Sequence, residues 1–183
     1  MIYLDNAATT GRKPLSVIKA VNWALTEMSA NPGRGGHQPS VKASESIFKT
    51  RQKVAEMFGA SSEERVIFTP SCTASLNIVL KGILGRGDGL IISSLEHNAV
   101  TRPVETLKKQ GIEVTVAEVI FGDYDATVRS FERAIQKNTK AIVCTHASNV
   151  TGEIMPIAKI GALAKKEVLP LLWMPPKLRV LFP

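Results

Sequence analysis

Short apolar runs alternate along the chain with longer segments of helical periodicity. The apolar runs are rich in Val and Ile and nearly continuous, a pattern typical of strands that are covered on both faces of a parallel sheet. They predict five strands, at residues 65–69, 89–93, 113–119, 140–145 and 168–172. The helical periodicity predicts six helices, at residues 14–28, 41–58, 73–84, 100–110, 128–137 and 157–166, with Ser40 as the cap of the second.

The order of these elements predicts the fold class. Strands that alternate with helices form right-handed crossovers, which give an α/β fold with a mainly parallel sheet and helices on both faces. Ligands of such sheets bind beyond the carboxyl ends of the strands, in the loops that open the following helices. The chemistry of this chain is therefore expected in those loops.

Composition narrows the function classes. The chain has 183 residues, of which 44% are hydrophobic and 21% charged, so one sizeable domain is expected. No apolar run reaches the roughly 20 residues of a membrane span, and the first residues do not resemble a signal peptide. We therefore expect a cytoplasmic protein without a membrane partner. The net charge of +7 comes from scattered Lys and Arg, which favours a mixed surface over a nucleic-acid site and suits a phosphorylated cofactor.

The loop within "VIFTPSCTASLN" is a candidate anion site. Ser71, Cys72 and Thr73 follow a predicted strand and lie where a helix begins. The first turn of a helix leaves about four backbone N–H groups unpaired and partly positive, and small or hydroxylated residues let a phosphate approach them. An ordinary helix cap with nothing bound explains the loop equally well. Cys72 could also be a nucleophile, because a helix N-terminus lowers a thiol pKa, but a small lining residue is the simpler interpretation.

Two more loops carry polar residues directly after predicted strands. In "SSLEHNAV", the imidazole of His97 could stack on a flat aromatic ligand or transfer a proton, or it could simply cap the next helix. In "THASNVTGEIMPI", Asn149 offers both a donor and an acceptor to a ligand, although an ordinary turn has the same composition.

Five segments together are more specific than any one of them. In chain order, "YLDNAATT", "NPGRGGH", "VIFTPSCTASLN", "SSLEHNAV" and "SNVTGEIMPI" resemble the N-terminal half of the cysteine desulfurases, which belong to the class V aminotransferase group of pyridoxal-phosphate enzymes. The resemblance runs from Ile2 to about Leu172. It implies a partial large domain of a fold-type I pyridoxal-phosphate enzyme, with pyridoxal 5′-phosphate as cofactor and no metal site.

The resemblance also implies roles for the residues of these loops. Cys72 and Thr73 would hold the cofactor phosphate, and Ser71 would line the same loop, although family members usually have Ala or Thr where Cys72 stands. His97 would be the catalytic residue that stacks on the pyridine ring. Asn149 would lie near the cofactor O3′ and the substrate.

The substrate side of the site is expected in the first third of the chain. By the same resemblance, Asn6, Ala7 and Ala8 would line the substrate entrance, with Arg34 and His37 near it. The implied reaction removes sulfur from L-cysteine and leaves alanine and a persulfide on the enzyme. A sulfur-acceptor protein and a second copy in a homodimer are the partners implied for the full-length enzyme. A selenocysteine lyase, another class V enzyme, or a non-catalytic fragment are the alternatives.

The end of the chain departs from the family pattern. An aspartate that pairs with the pyridine nitrogen is expected after Leu172, followed later by the Schiff-base lysine and the cysteine that attacks sulfur. Trp173 and Met174 stand there instead, and their codons must read TGGATG. Read from the third base, the DNA specifies Asp-Ala and permits the family's Val-Asp-Ala-Ala-Gln. We therefore expect residues 1–172 to be the partial domain, residues 173–183 to be a frameshifted tail rather than a genuine short variant, and this chain alone to be inactive.

Overall fold

The computed structural model describes residues 2–3 and 10–174. The chain divides into two compact units, Met1–Phe68 and Thr69–Pro183. Within the described residues, no helix is long and apolar enough to cross a membrane. The predicted substrate-side residues 6–8 and the predicted tail residues 175–183 lie outside the described part.

The first unit consists of two helices and a short turn. Its elements are α1 (Leu15–Glu27), α2 (Gln38–Phe58) and a single 3-10 turn (Glu63–Arg65). Helix α2 begins at a cap formed by His37, whose Nδ1 accepts a hydrogen bond from the Ser40 backbone N–H at 3.4 Å. Ser40 is therefore inside the helix rather than its cap. The helix ends at Gly59, which adopts a left-handed conformation (φ 67°) that favours glycine.

The second unit is a four-stranded parallel sheet with helices on both faces. Its strands occur in the order β2-β1-β3-β4, and every neighbouring pair is parallel. This confirms the predicted α/β class. In chain order its elements are α3 (Cys72–Ile83), β1 (Gly89–Ser93), α4 (Asn98–Lys109), β2 (Glu113–Ala117), α5 (Tyr124–Ala134), β3 (Thr139–Thr145), α6 (Ile157–Lys166) and β4 (Leu171–Met174).

Two apolar clusters, one on each face of the sheet, form the core of this unit. Leu90 of β1 packs in the cluster that α3 and α4 cover, whereas its neighbour Ile91 packs in the cluster that α5 and α6 cover. All five residues of β1 are buried, which explains why this strand is continuously apolar in sequence. Each fully buried aliphatic or aromatic side chain contributes about 1.5–3 kcal/mol, so the sheet is the stable platform of the chain.

The largest differences from the predicted strands occur at the first and the last of them. Residues 66–69 form no strand in the described part of the chain, and Ile67 is 77% exposed there. The last strand is β4, two to three residues later than predicted, because Val168 has a left-handed conformation (φ 58°) in the turn after α6. The strand therefore continues through Trp173 and Met174, where the sequence pattern predicted its end.

Candidate functional site

A cavity of about 380 Å³ lies between α3 and α4. It brings together Thr73 and His97, two residues that the sequence predicted separately. His97 lies between β1 and α4. The cavity is therefore located at the carboxyl end of β1, next to the start of α4. The residues that line the cavity are Thr73, Asn77, His97, Asn98, Ala99, Arg102, Pro103 and Thr106.

The start of α3 presents unpaired donors to this cavity. Ser71 caps the helix, and its Oγ accepts a hydrogen bond from the Ala74 backbone N–H at 3.1 Å. Within the described residues, the Cys72 and Thr73 backbone N–H groups and the Thr73 hydroxyl form no hydrogen bond. Free N–H groups at a helix N-terminus attract anions, and a hydroxyl adds a further donor.

His97 is held in a defined orientation as the cap of α4. Its Nδ1 accepts a hydrogen bond from the Ala99 backbone N–H at 3.0 Å. The neutral imidazole must therefore carry its proton on Nε2. The capping role that the sequence left open as an alternative is real. It fixes the ring without excluding a ligand, because the same ring lines the cavity.

Glu96 lies beside His97 and contacts two neighbouring strands. Its Oε1 accepts hydrogen bonds from the Ser93 hydroxyl at 2.5 Å and from the Thr145 backbone N–H at 2.9 Å. Burial raises the pKa of this carboxyl, although the hydrogen bonds partly oppose the shift. Burial, followed by the nearby Glu96 charge, also raises the pKa of the Cys144 thiol. Cys144 is therefore a neutral core residue at ordinary pH.

The remaining predicted site residues are more scattered. Asn149 lies in the exposed turn after β3, the strand adjacent to β1, and does not line the cavity. Burial of its sulfur raises the pKa of Cys72, the first residue of α3, which does not favour a thiolate nucleophile. Arg34 and His37 belong to the first unit, where both are exposed. Their part in a substrate site remains a prediction.

Sequence reasoning missed most of the polar lining of the cavity. Asn98, Arg102 and Thr106 recur at every fourth position of α4. Thr73 and Asn77 have the same spacing on α3, and the Asn77 side-chain amide donates to the Thr73 carbonyl at 2.9 Å. Residues four apart share one helix face, so each helix contributes a polar stripe to the cavity. This periodicity is visible in the sequence, but only the packing of α3 against α4 shows that the stripes face each other.

Arg102 gives the cavity a positive charge. In the part of the chain that the structure describes, its guanidinium forms no ion pair. The positive ends of α3 and α4 lie at the same cavity, and no acidic side chain lines it. The arrangement therefore favours an anionic group.

Comparison with known proteins gives the chain its family. The family model described as Aminotransferase class-V matches residues 2–172. A probable cysteine desulfurase from Methanothermobacter thermautotrophicus is 33% identical over 164 residues, which cover 89% of this chain and 40% of that protein.

Solved structures give the same result. The apo structure of a cysteine desulfurase from Thermococcus onnurineus NA1 matches with a TM-score of 0.83 and 31% identity, covering 94% of this chain and 43% of that one. A structure of SspA in complex with cysteine matches with a TM-score of 0.81 and 26% identity, covering 94% of this chain and 50% of that one. This chain thus spans half or less of the length of these relatives. The parallel sheet, the helix starts around the cavity and the family match over residues 2–172 lead to one conclusion: the chain belongs to the class V aminotransferase family.

Proposed function

We propose that this chain supplies the phosphate-binding and ring-stacking side of a pyridoxal-phosphate site in a cysteine desulfurase, which removes sulfur from L-cysteine and leaves alanine. The observation that carries the proposal is the single cavity that contains both Thr73 and His97. Members of the family use pyridoxal phosphate. Because the chain spans less than half of the desulfurases it matches, the activity is proposed for the full-length protein.

The α3 side of the cavity fits the cofactor phosphate. The unpaired N–H groups of Cys72 and Thr73, together with the Thr73 hydroxyl, can donate up to three hydrogen bonds to phosphate oxygens. Arg102 adds a positive charge on the facing helix. A cavity of about 380 Å³ also lies within the usual range for a bound small molecule.

The α4 side fits the aromatic ring of the cofactor. The Ala99 N–H holds the His97 imidazole by Nδ1, so the ring is immobilised before a ligand arrives and loses little entropy on stacking. When bound, the cofactor supplies an electron sink for bonds broken at the substrate. His97 would orient it, and its Nε2–H would exchange a proton. Asn149 lies in the exposed turn that follows the adjacent strand β3, outside the cavity lining, and its amide would contact the O3′ side of the bound cofactor.

The proposed frameshift has a structural counterpart at the end of β4. Inserting one base before the Trp173 codon would place aspartate at position 174. Met174 ends β4 opposite Thr145, and it packs with Leu172 against the cluster that α3 and α4 cover. An aspartate there would therefore project toward the α3 and α4 face, the layer that contains the cavity. This position supports the assignment of residue 174 as the partner of the pyridine nitrogen in the repaired protein.

The test is to repair the reading frame and assay the product. We expect the protein with one base inserted before the Trp173 codon to bind pyridoxal phosphate and to release sulfide and alanine from L-cysteine. The 183-residue chain should release neither at the roughly 1 per second or more of ordinary enzymes. A repaired protein that acts on L-selenocysteine but not on L-cysteine would replace the desulfurase proposal with the lyase. Turnover by the 183-residue chain itself would contradict the proposed division of the site.

The matched variants of the repaired protein locate the site. His97→Ala should impair both cofactor orientation and turnover. Glu132→Ala, which changes an exposed carboxylate on α5 outside the cavity, serves as the control and should leave cofactor affinity unchanged. If His97→Ala binds and turns over like its parent, the cavity between α3 and α4 is not the cofactor site.

A further inference from the structure

The loop between β1 and α4 is tied to the strands on both sides of β1. On the β2 side, the Ser94 backbone N–H donates to the Ala117 carbonyl at 2.9 Å, and the Ser94 hydroxyl accepts from the Val119 backbone N–H at 3.0 Å. On the β3 side, the attachment is the Glu96 side chain, which accepts from the Thr145 backbone N–H. His97 is the next residue, so its position depends directly on where Glu96 is held.

The Glu96 side chain supplies a hydrogen-bond acceptor just beyond the last backbone pairing between β1 and β3. The register of β1 and β3 is paired as far as Ile92 and Val143, and no backbone partner from β1 reaches Thr145. The Glu96 Oε1 provides the missing acceptor, and it also accepts from the Ser93 hydroxyl. A single carboxylate oxygen of Glu96, the residue before His97, therefore joins the end of β1 to the end of β3.

Burial of the Glu96 carboxyl has an energetic cost. The Glu96 Oε2 is buried without a hydrogen-bond partner among the described residues. Burying a carboxylate oxygen without a partner is unfavourable. The titratable groups close to it are Cys144 of β3 and His97 of its own loop. The His97 backbone N–H lies near enough to help lower the pKa of the carboxyl, and neither side chain supplies a hydrogen bond to Oε2.

We propose that Glu96 is a positioning residue that holds His97 at the cavity. Its side chain fixes the loop from the β3 side, while the Ala99 N–H fixes the imidazole from the α4 side. With both ends held, the ring has one tautomer and one orientation. The inference rests on the proposed function in one respect, namely that the His97 imidazole faces the cofactor. It adds that the carboxylate next to His97 acts through His97 and does not touch the cofactor.

The first experiment measures the 183-residue chain by NMR without any ligand. In Glu96→Ala, hydrogen exchange of the Thr145 amide should accelerate by about tenfold or more, because one charge-assisted hydrogen bond is lost. The nitrogen signals of His97 should shift from a single Nε2–H tautomer toward a mixture. Glu96→Gln, which keeps the acceptor oxygen, should restore both signals to near the parent values. Glu132→Ala, an exposed glutamate on α5, is the matched control and should change neither.

Two further variants make the result decisive. Glu96→Asp keeps the charge but is one methylene too short to span Ser93 and Thr145, so it should reproduce the His97 change even if Glu96→Ala does not fold. Faster Thr145 exchange with an unchanged His97 tautomer would reduce Glu96 to a structural bridge and overturn the proposal. Parent-like His97 signals in Glu96→Asp would overturn it as well.

A second experiment uses pyridoxal 5′-phosphate itself as the probe. Bound to the parent chain, the cofactor should acquire circular dichroism, because a fixed neighbour makes an achiral ring optically active. Glu96→Asp should keep most of the affinity, which the phosphate side supplies, but lose most of this signal. Equal signals in parent and variant would contradict the positioning role. If neither this chain nor the frame-repaired protein binds the cofactor, the proposed function fails, and the ligand-free His97 and Thr145 measurements still decide the role of Glu96.

Discussion

The hydroxyl of Thr73 should contribute measurably to cofactor affinity. Two substitutions separate the hydroxyl from the methyl group of this side chain. Thr73→Val keeps the shape and removes the hydroxyl, whereas Thr73→Ser keeps the hydroxyl and removes the methyl. The hydroxyl lines the cavity and has no partner within the described residues, so its removal leaves no protein group unsatisfied. The difference between the parent and Thr73→Val therefore measures the hydrogen bond to the ligand, and Thr73→Ser controls for the contribution of the methyl group.

The magnitude follows from the charge of the acceptor. A hydrogen bond to a charged group contributes about 1.5–3 kcal/mol, which corresponds to roughly tenfold to hundredfold in affinity. The lower end is the better expectation here, because Thr73 is exposed and water can replace part of the bond. The backbone N–H groups of Cys72 and Thr73 remain in both variants, so binding should weaken without being abolished.

The assay is equilibrium titration of each variant with pyridoxal 5′-phosphate, with inorganic phosphate as a competitor. We expect Thr73→Ser to bind close to the parent and Thr73→Val to bind about tenfold more weakly. Phosphate should compete less effectively against the Val variant. Equal affinities of the Val and Ser variants would refute the reasoning, because the hydroxyl would then not contact the phosphate. Thr151→Val, in the exposed turn after β3, controls for loss of any surface hydroxyl.

Three other predictions concern stability. Phe131 has no exposed surface in the cluster under α5 and α6, so Phe131→Ala should lower the free energy of unfolding by about 3–5 kcal/mol in urea denaturation. Asp123 caps α5 by accepting from the Ala126 N–H at 2.8 Å, and Asp123→Ala should cost about 1 kcal/mol, which Asp123→Asn should largely restore. Burial raises the pKa of Glu96, so the folded chain holds this proton more tightly than the unfolded chain. Urea titrations across pH should show the parent losing stability relative to Glu96→Gln as the pH rises from the ordinary glutamate pKa through the raised value, and a flat difference would contradict this.

The fold was predictable where burial alone determines the structure. Strand β1 was placed with its observed bounds, and α6 matched its predicted range, because both are defined by continuous or periodic apolar residues. Helix starts were less accurate. Helix α5 begins four residues before the predicted Val128, since the Asp123 cap and the exposed first turn contribute no apolar period. Polar caps decide where a helix begins, and hydrophobic patterns do not detect them.

The misplaced strands have a different cause. Residues 66–69 have the composition of a strand, but a strand also needs a neighbour to pair with, and none lies beside them within the described residues. Composition cannot supply that information. At the other end, a β-branched residue in a left-handed conformation is rare, so no sequence pattern indicates that Val168 lies in a turn.

The candidate site was predictable as a set of residues but not as an arrangement. Thr73 and His97 are candidates from sequence because each follows a predicted strand, and the structure places both in one cavity. Arg102 was missed because a single Arg on an amphipathic helix resembles any solvated surface residue. The bridge made by Glu96 was missed for a related reason. It depends on the alignment of β1 with β3, two strands separated by about 50 residues of sequence.

The two sides of the cavity are supported by different parts of the fold. His97 follows the central strand β1, which pairs with β2 and β3 and whose outgoing loop is tied to both. Thr73 follows residues 66–69, which pair with no strand within the described residues, so the start of α3 depends on its cap and on packing against α4. The orientation of the His97 ring is thus supported by the sheet, whereas the phosphate side around Thr73 is supported by the single helix α3. Stacking requires a fixed plane, but a phosphate accepts donors from several directions, so the stronger support lies where geometry matters more.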